Sequence, residues 1–204
     1  MFYEPANGHG LPHDPFKAIV APRPIGWIST KTADGRVNLA PYSFFNAFSG
    51  NPPLIWFSSE GAKDRSLFAE DSGEFVANLV SRDLAEAMNR SSVNAPRGTN
   101  EFDYAGLTMA PSLLVQAPRV AEAHAALECK VTEIFRPKTL QGTQSEAHVV
   151  IGQVVGVHLE DAYLTDGLFD IIKAGNTARL GYMDYASVTE TFAMRRPRWE
   201  EDRG

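Results

Sequence analysis

Alternation of apolar and polar positions dominates the chain. In residues 126–135, ALECKVTEIF, Leu127, Cys129, Val131 and Phe135 fall on one side, and Glu128, Lys130 and Thr132 fall on the other. That two-residue period predicts a half-buried strand. Residues 23–32, RPIGWISTKT, set Ile25 and Trp27 on a common face and predict an earlier strand. Asp34-Gly35 then supplies a hairpin turn signal, and RVNLA returns as the second strand. PLIWFSS, 53–59, is a short apolar strand whose start Pro52 and Pro53 mark. GEFVANLV, 73–80, is apolar on both faces and should be buried. AHVVIGQVVGVHLE, 147–160, is a long strand that Gly152 and Gly156 allow to bend sharply.

Helical periodicity is sparse. DLAEAMNRSS, 83–92, places Leu84 and Met88 on one face, and Asp83 with Glu86 resembles a capping arrangement. KDRSLFAED, 63–71, predicts another short helix with Asp64 as its N-cap. Residues 94–107 read as loop, and residues 1–22 read as an N-terminal arm rich in Gly, Pro and Asn. APYSFFNAFSGNPP, 40–53, is too broken by Gly and Pro to predict either a strand or a helix. Short strands without βαβ alternation predict a mainly β fold, an antiparallel barrel with a few peripheral helices. The expected organisation is an arm at 1–22, one domain at 23–197 and a charged tail at 198–204.

Composition narrows the function. The 204 residues, 44% of them hydrophobic, suffice for a proper core. A net charge of −6 argues against a nucleic-acid binder, which needs clustered Lys and Arg to neutralise phosphates. Cys129 is the only cysteine, so no internal disulfide can form, and a reducing cytoplasm is the natural setting. MFYEPANGHGLPHD has neither a basic start nor an apolar run, so no secretory signal is expected. No stretch approaches the ~20 apolar residues of a membrane span. His9 and His13 are four apart, but Gly10 and Pro12 forbid the helix that would join them. His148 and His158 share a strand face at a separation of roughly 33 Å, so no metal site is expected. Cys129 alternates with Leu127 and Val131 and should lie inside, inert.

Two stretches remain. Residues 40–53 hold Tyr42, Phe44, Phe45 and Phe48 among Ser43, Asn46, Ser49 and Asn51. Those rings either cushion a flat ligand or plug the barrel or a subunit contact. In KDRS, 63–66, Lys63 and Arg65 flank a predicted helix start. They are either a solvated surface pair beside a capping Asp64 or part of an anion site built on free N–H groups. Ser58 and Ser59 run directly toward Lys63, and WIST supplies Ser29 and Thr30. A phosphate at one end and an aromatic body at the other describe a mononucleotide-like ligand, and flavin mononucleotide (FMN) fits. Burying such a ring contributes about 6 kcal/mol before losses, from ~250 Å² at ~25 cal/mol per Å². Asn78 shares a face with Val76 and Val80, and a role bracing a loop is expected of it.

RPIGWIST, DGRVNLAPYSFFN, NPPLIWFSS, the Lys63-Asp64 pair, GEFVANLV, LAEAMNRSS, PRVAEAHAALECKV and ARLGYMDYASV closely resemble the flavin reductase-like family of FMN-binding split-barrel proteins. The likeness spans roughly residues 15 to 197. It implies a Greek-key split barrel, a homodimer with FMN near the interface, and NAD(P)H as hydride donor, with electrons passing on to a second acceptor. A partner oxygenase is possible under the same resemblance, and an FMN carrier without NAD(P)H turnover is the alternative. By motif, Ser29 and Thr30 would line the flavin site, and Ser43, Phe44, Phe45 and Asn46 would meet the ring. Ser58, Ser59, Lys63 and Asp64 would lie at the ribityl and phosphate end. Arg65 stands where the family commonly has a Thr, which replaces a hydroxyl donor by a guanidinium. Arg179 and Tyr185 match the C-terminal motif.

Overall fold

The computed structural model describes residues 1–60, 69, 71–96 and 98–199. Its centre is a seven-stranded antiparallel sheet in the order β3-β2-β6-β9-β10-β5-β4. The strands are β2 (Gly26–Lys31), β3 (Val37–Tyr42), β4 (Phe45–Gly50), β5 (Pro53–Glu60), β6 (Glu74–Asn78), β9 (Ala125–Phe135) and β10 (Ala147–Leu159). The sheet curls into a split barrel. Phe45 of β4 packs over Gly26 of β2, although four strands lie between β2 and β4 in the sheet order. Tyr42 and Phe57 close the same seam, their ring centroids 4.9 Å apart.

Short strands decorate the rim: β1 (Arg23–Pro24), β7 (Met109–Ala110), β8 (Arg119–Val120), β11 (Leu164–Thr165), β12 (Leu168–Phe169), β13 (Thr177–Arg179) and β14 (Tyr185–Ser187). Helices α1 (Phe16–Ile19), α2 (Ala85–Ser91) and α3 (Glu101–Ala105) lie at the periphery. Among the described residues, no helix is long and apolar enough to cross a membrane.

Burial follows the strand period. Ile28, Phe57, Phe75, Ala77, Cys129 and Val150 fill the barrel. On the opposite face Ile25, Trp27, Leu39, Met88 and Phe102 form a second core under α2 and α3. Trp27 is fully buried there, and its indole N–H donates to Ser91 Oγ at 2.9 Å, which meets the indole's need for a partner once desolvated. Asp34-Gly35 makes the β2–β3 turn, with Gly35 at φ +88°. Gly152 and Gly156 sit at the two register shifts between β9 and β10, where the long strand bends. A Cβ at Gly152 would fall 2.5 Å from the Phe75 ring, so only glycine lets the two strands' layers meet.

Several expectations need correction. Residues 94–107 are not all loop. Asn100 caps α3 by accepting from the Phe102 N–H, Gly106 closes it in the left-handed region, and Phe102 is buried. Residues 40–53 are not too broken for a strand: they complete β3, bend at Ser43 and Phe44, and continue as β4 and the start of β5. Asp83 does not cap α2, whose N-cap is Leu84 without a side-chain bond. Phe135 does not share the face of Leu127, Cys129 and Val131. The shift at Ile151/Gly152 inserts a residue on β9, so Ile134 turns inward and Phe135 is exposed. The helix expected at 63–71 lies largely outside the described residues.

Candidate functional site

The aromatic bend is set by the β3–β4 connection. Phe44 O accepts from the Ser58 N–H at 2.8 Å. Phe45 pairs with Phe57, and Asn46 pairs with Trp56. The bend is therefore laid across the end of β5 and brings Ser43, Phe44, Phe45, Asn46, Ser58 and Ser59 into neighbouring backbone positions, with Ser58 and Ser59 on opposite faces of β5. Phe45 joins the barrel core. Phe44 is half-buried, with Lys17 Nζ 5.3 Å from its ring centroid. Phe48 is 63% exposed and does not fill the barrel. Asn46 Oδ1 accepts from the Ala47 N–H at 2.8 Å, which leaves its amide NH₂ turned to other partners.

Ser29 and Thr30 lie three and four residues along β2 from the Gly26–Phe45 contact, on opposite faces. Ser29 is fully buried on the outer face; its hydroxyl donates to Pro118 O and accepts from Asn78 Nδ2 at 3.3 Å. Thr30 shares the inner face with Ile28, and its buried Oγ1 has no hydrogen-bond partner among the described residues. Lys63 and Asp64, with Arg65, lie outside the described residues. Asn78 braces a loop as expected: its Oδ1 accepts from Val120 N at 2.8 Å, and its Nδ2 donates to Trp27 O at 3.0 Å.

Sequence reasoning passed over two features. His148 pairs with Ser59 across β5 and β10, and its buried Nδ1 has no partner among the described residues; only the register of the sheet reveals that neighbour. Glu128, read as the polar side of β9, is fully buried. Its carboxylate accepts from Leu113 N at 2.8 Å, Leu114 N at 2.6 Å and Val115 N at 3.2 Å, and it contacts His158 Nε2. Burial pushes this carboxyl upward, but the bonds from His158, Leu113 and Leu114 outweigh burial and hold it below its ordinary value. The pair straps the 111–118 segment over the sheet. Cys129 is fully buried, and burial, aided by the Glu128 charge, pushes its thiol well above the usual range. It is inert, as its alternation predicts.

At the C-terminal side, β13 and β14 pair Arg179 with Tyr185, and the guanidinium carbon lies 4.4 Å from the ring centroid. Arg23 reaches the same region, donating to Leu180 O at 2.9 Å.

This bend against a curled antiparallel sheet defines a class, and comparison with known proteins agrees. Residues 20–174 match the flavin reductase like domain, and the chain belongs to that family. It is 38% identical over 189 residues to an uncharacterized protein of Halalkalibacterium halodurans, covering 90% of each chain. Among solved structures it is similar to nitrilotriacetate monooxygenase component B from Bacillus cereus, with a TM-score of 0.85 and 28% identity over 95% of this chain and 98% of that one. It is also similar to the Pseudomonas fluorescens 2-nitrobenzoate 2-nitroreductase, with a TM-score of 0.79 and 25% identity over 93% and 92% of the two chains.

Proposed function

We propose that the protein is an FMN-dependent oxidoreductase that takes hydride from NAD(P)H and delivers electrons to a second acceptor. One observation carries this reading: the Phe44–Phe45 bend is seated on the end of β5 with polar groups left over for a ligand. Neither the Ser43 hydroxyl nor those of Ser58 and Ser59 has a partner among the described residues. The donor set fits FMN. The hydroxyls suit ribityl and ring-edge atoms, the Asn46 amide and loop N–H groups suit a flavin's carbonyls and nitrogens, and Phe44 and Phe45 supply an apolar wall. When bound, FMN supplies a ring that accepts a hydride and releases two electrons. The chain's own part is to orient that ring and exclude water, which accounts for the lack of an acid–base pair at the bend among the described residues.

Lys63 and Asp64 follow β5 by a few residues, and in this reading they lie at the ribityl and phosphate end, with the Lys63 ammonium meeting the phosphate. Ser29 and Thr30 belong to the proposed site only through their neighbours on β2; of the two, Thr30 has the free hydroxyl. Exposed apolar side chains at Leu113, Leu114, Val157 and Leu159 support a homodimer. The component B relative supports a partner oxygenase as acceptor, and the single buried thiol fits a cytoplasmic setting.

The test is a visible spectrum of the purified protein, followed by NADH and NADPH oxidation with excess FMN. Bound flavin and a rate above free flavin are expected. Bound flavin without added rate would instead make the protein an electron carrier, and a colourless protein that gains no visible band with FMN refutes the flavin site itself. Lys63→Ala should weaken FMN by ~1.5–3 kcal/mol, the range for bonds to charged groups.

A further inference from the structure

Ser43 also lines a cavity of about 420 Å³, large enough for a small organic molecule. Its described walls carry three cations, Lys17, Arg23 and Arg179, beside Tyr182 and Tyr185, and none of the described lining residues is acidic. Arg23 is only 6% exposed. Its Nη1 donates to Val20 O at 2.6 Å and to Lys17 O, and its Nη2 to Leu180 O at 2.9 Å. Its Nε is buried with no partner among the described residues. Arg179 donates to Tyr182 O and lies over the Tyr185 ring. Backbone carbonyls and a ring face orient both guanidiniums, but neither has an ion-pair carboxylate among the described residues.

Lys17 does have one, Glu60 at 3.6 Å, with both side chains more than half exposed. That pair leaves the deeper charges untouched. Burial, and then the Arg179 charge, pull the Arg23 guanidinium below its ordinary value. Buried charges in folded proteins are paired or hold an ion. Two neighbouring guanidiniums without a carboxylate are a local violation of that rule, of the kind expected where a ligand supplies the missing charge.

We propose that this cavity seats the oxoanion group, carboxylate or phosphate, of a small organic molecule whose remainder lies toward Ser43 and the aromatic bend. Arg23 and Arg179 grip the two oxygens, which suits the planar fork of a guanidinium. The walls of Tyr182 and Tyr185 favour a flat body. The proposal deepens the flavin reading and rests on it for the identity of that molecule as a reaction partner; the anion site itself stands on the arginines.

The experiment titrates the FMN-loaded, full-length protein with benzoate and, separately, with inorganic phosphate by isothermal calorimetry. Wild type should bind at least one of them, more weakly as salt rises, and the tighter of the two identifies the source of the oxoanion. Arg179→Gln should weaken that binding about tenfold, and Arg179→Lys should recover part of it. Lys17→Gln, an exposed position that does not threaten folding, should weaken it about two- to threefold because Glu60 already screens that charge. FMN affinity, read by quenching of flavin fluorescence, should stay within about threefold of wild type in every variant whose circular dichroism is native.

A parallel loss of FMN affinity in Arg179→Gln would overturn the proposal, because the cavity would then be the flavin's own phosphate site. So would no binding of either probe at about 20 mM, or binding that Arg179→Gln leaves unchanged. If the protein takes no FMN yet binds the anion with the same arginine dependence, the oxidoreductase reading fails and the anion site stands.

Discussion

Glu128→Gln tests the strap over the sheet. In wild type the fully buried carboxylate accepts from the N–H groups of Leu113, Leu114 and Val115 and meets His158. Each bond to a charged group is worth ~1.5–3 kcal/mol, but bonds sharing one carboxylate are not additive. Gln keeps one carbonyl oxygen and turns its NH₂ toward donors. The expected loss is therefore about 2–4 kcal/mol, against ~0–1 for an exposed ion pair. With a urea slope near 2 kcal/mol per M, the midpoint should fall by about 1–2 M at unchanged slope.

The pH dependence of the gap between wild type and variant has a definite sign. The folded carboxyl lies below its ordinary value of 4.5, so the unfolded chain takes up the proton more readily. The contribution of Glu128 is complete above that value and disappears as pH falls through the lower, folded one. The gap should shrink as pH falls below that ordinary value. A loss below about 1 kcal/mol at pH 7 would refute the strap. A gap that widens below pH 4.5 would refute the assigned charge state.

Three other outcomes are expected. Gly26→Ala places a Cβ within 2.5 Å of the Phe45 ring; displacing that ring should cost ~1–3 kcal/mol in urea melts and weaken FMN about tenfold, and an unchanged flavin titration would show that Phe45 is not part of the wall. Gly152→Ala drives a Cβ into Phe75, and the melting temperature should drop by several degrees for a chain of this size; no drop would mean that β9 and β10 can slide at the bulge. Cys129 should resist a thiol reagent at pH 8 in the native state and react once urea is added; native labelling would place the thiol outside the barrel.

What the chain reveals locally was readable, and what pairing decides was not. Leu127, Cys129 and Val131 announce a buried face, because strand alternation is a property of the backbone itself. The flip that puts Ile134 inside and Phe135 outside needs a bulge whose position is fixed by the partner strand. Glu128 has the spacing of a solvent-facing residue, and nothing beside it in sequence announces the 111–118 segment that covers it. Asn100 and Gly106 carried the cap signals for α3, but read as loop punctuation they hid a five-residue helix. At the site, the resemblance picked out Ser43 to Asn46 together with Ser58 and Ser59, which the fold gathers at one bend. Arg23 and Leu180 stand 157 residues apart in sequence, and no local pattern joins them.

Glu101 of α3 sits at the edge of the sheet, against β3. Its carboxylate accepts from Asn38 Nδ2 at 3.1 Å and from the Leu39 N–H at 3.3 Å. β3 ends the seven-stranded sheet, so that amide would otherwise offer itself to any extended chain drifting past. A glutamate thereby acts as a doorstop on the flank, denying foreign polypeptide a first rung. Replacing it with alanine should show up as turbidity in a concentrated sample before it shows up in a redox assay.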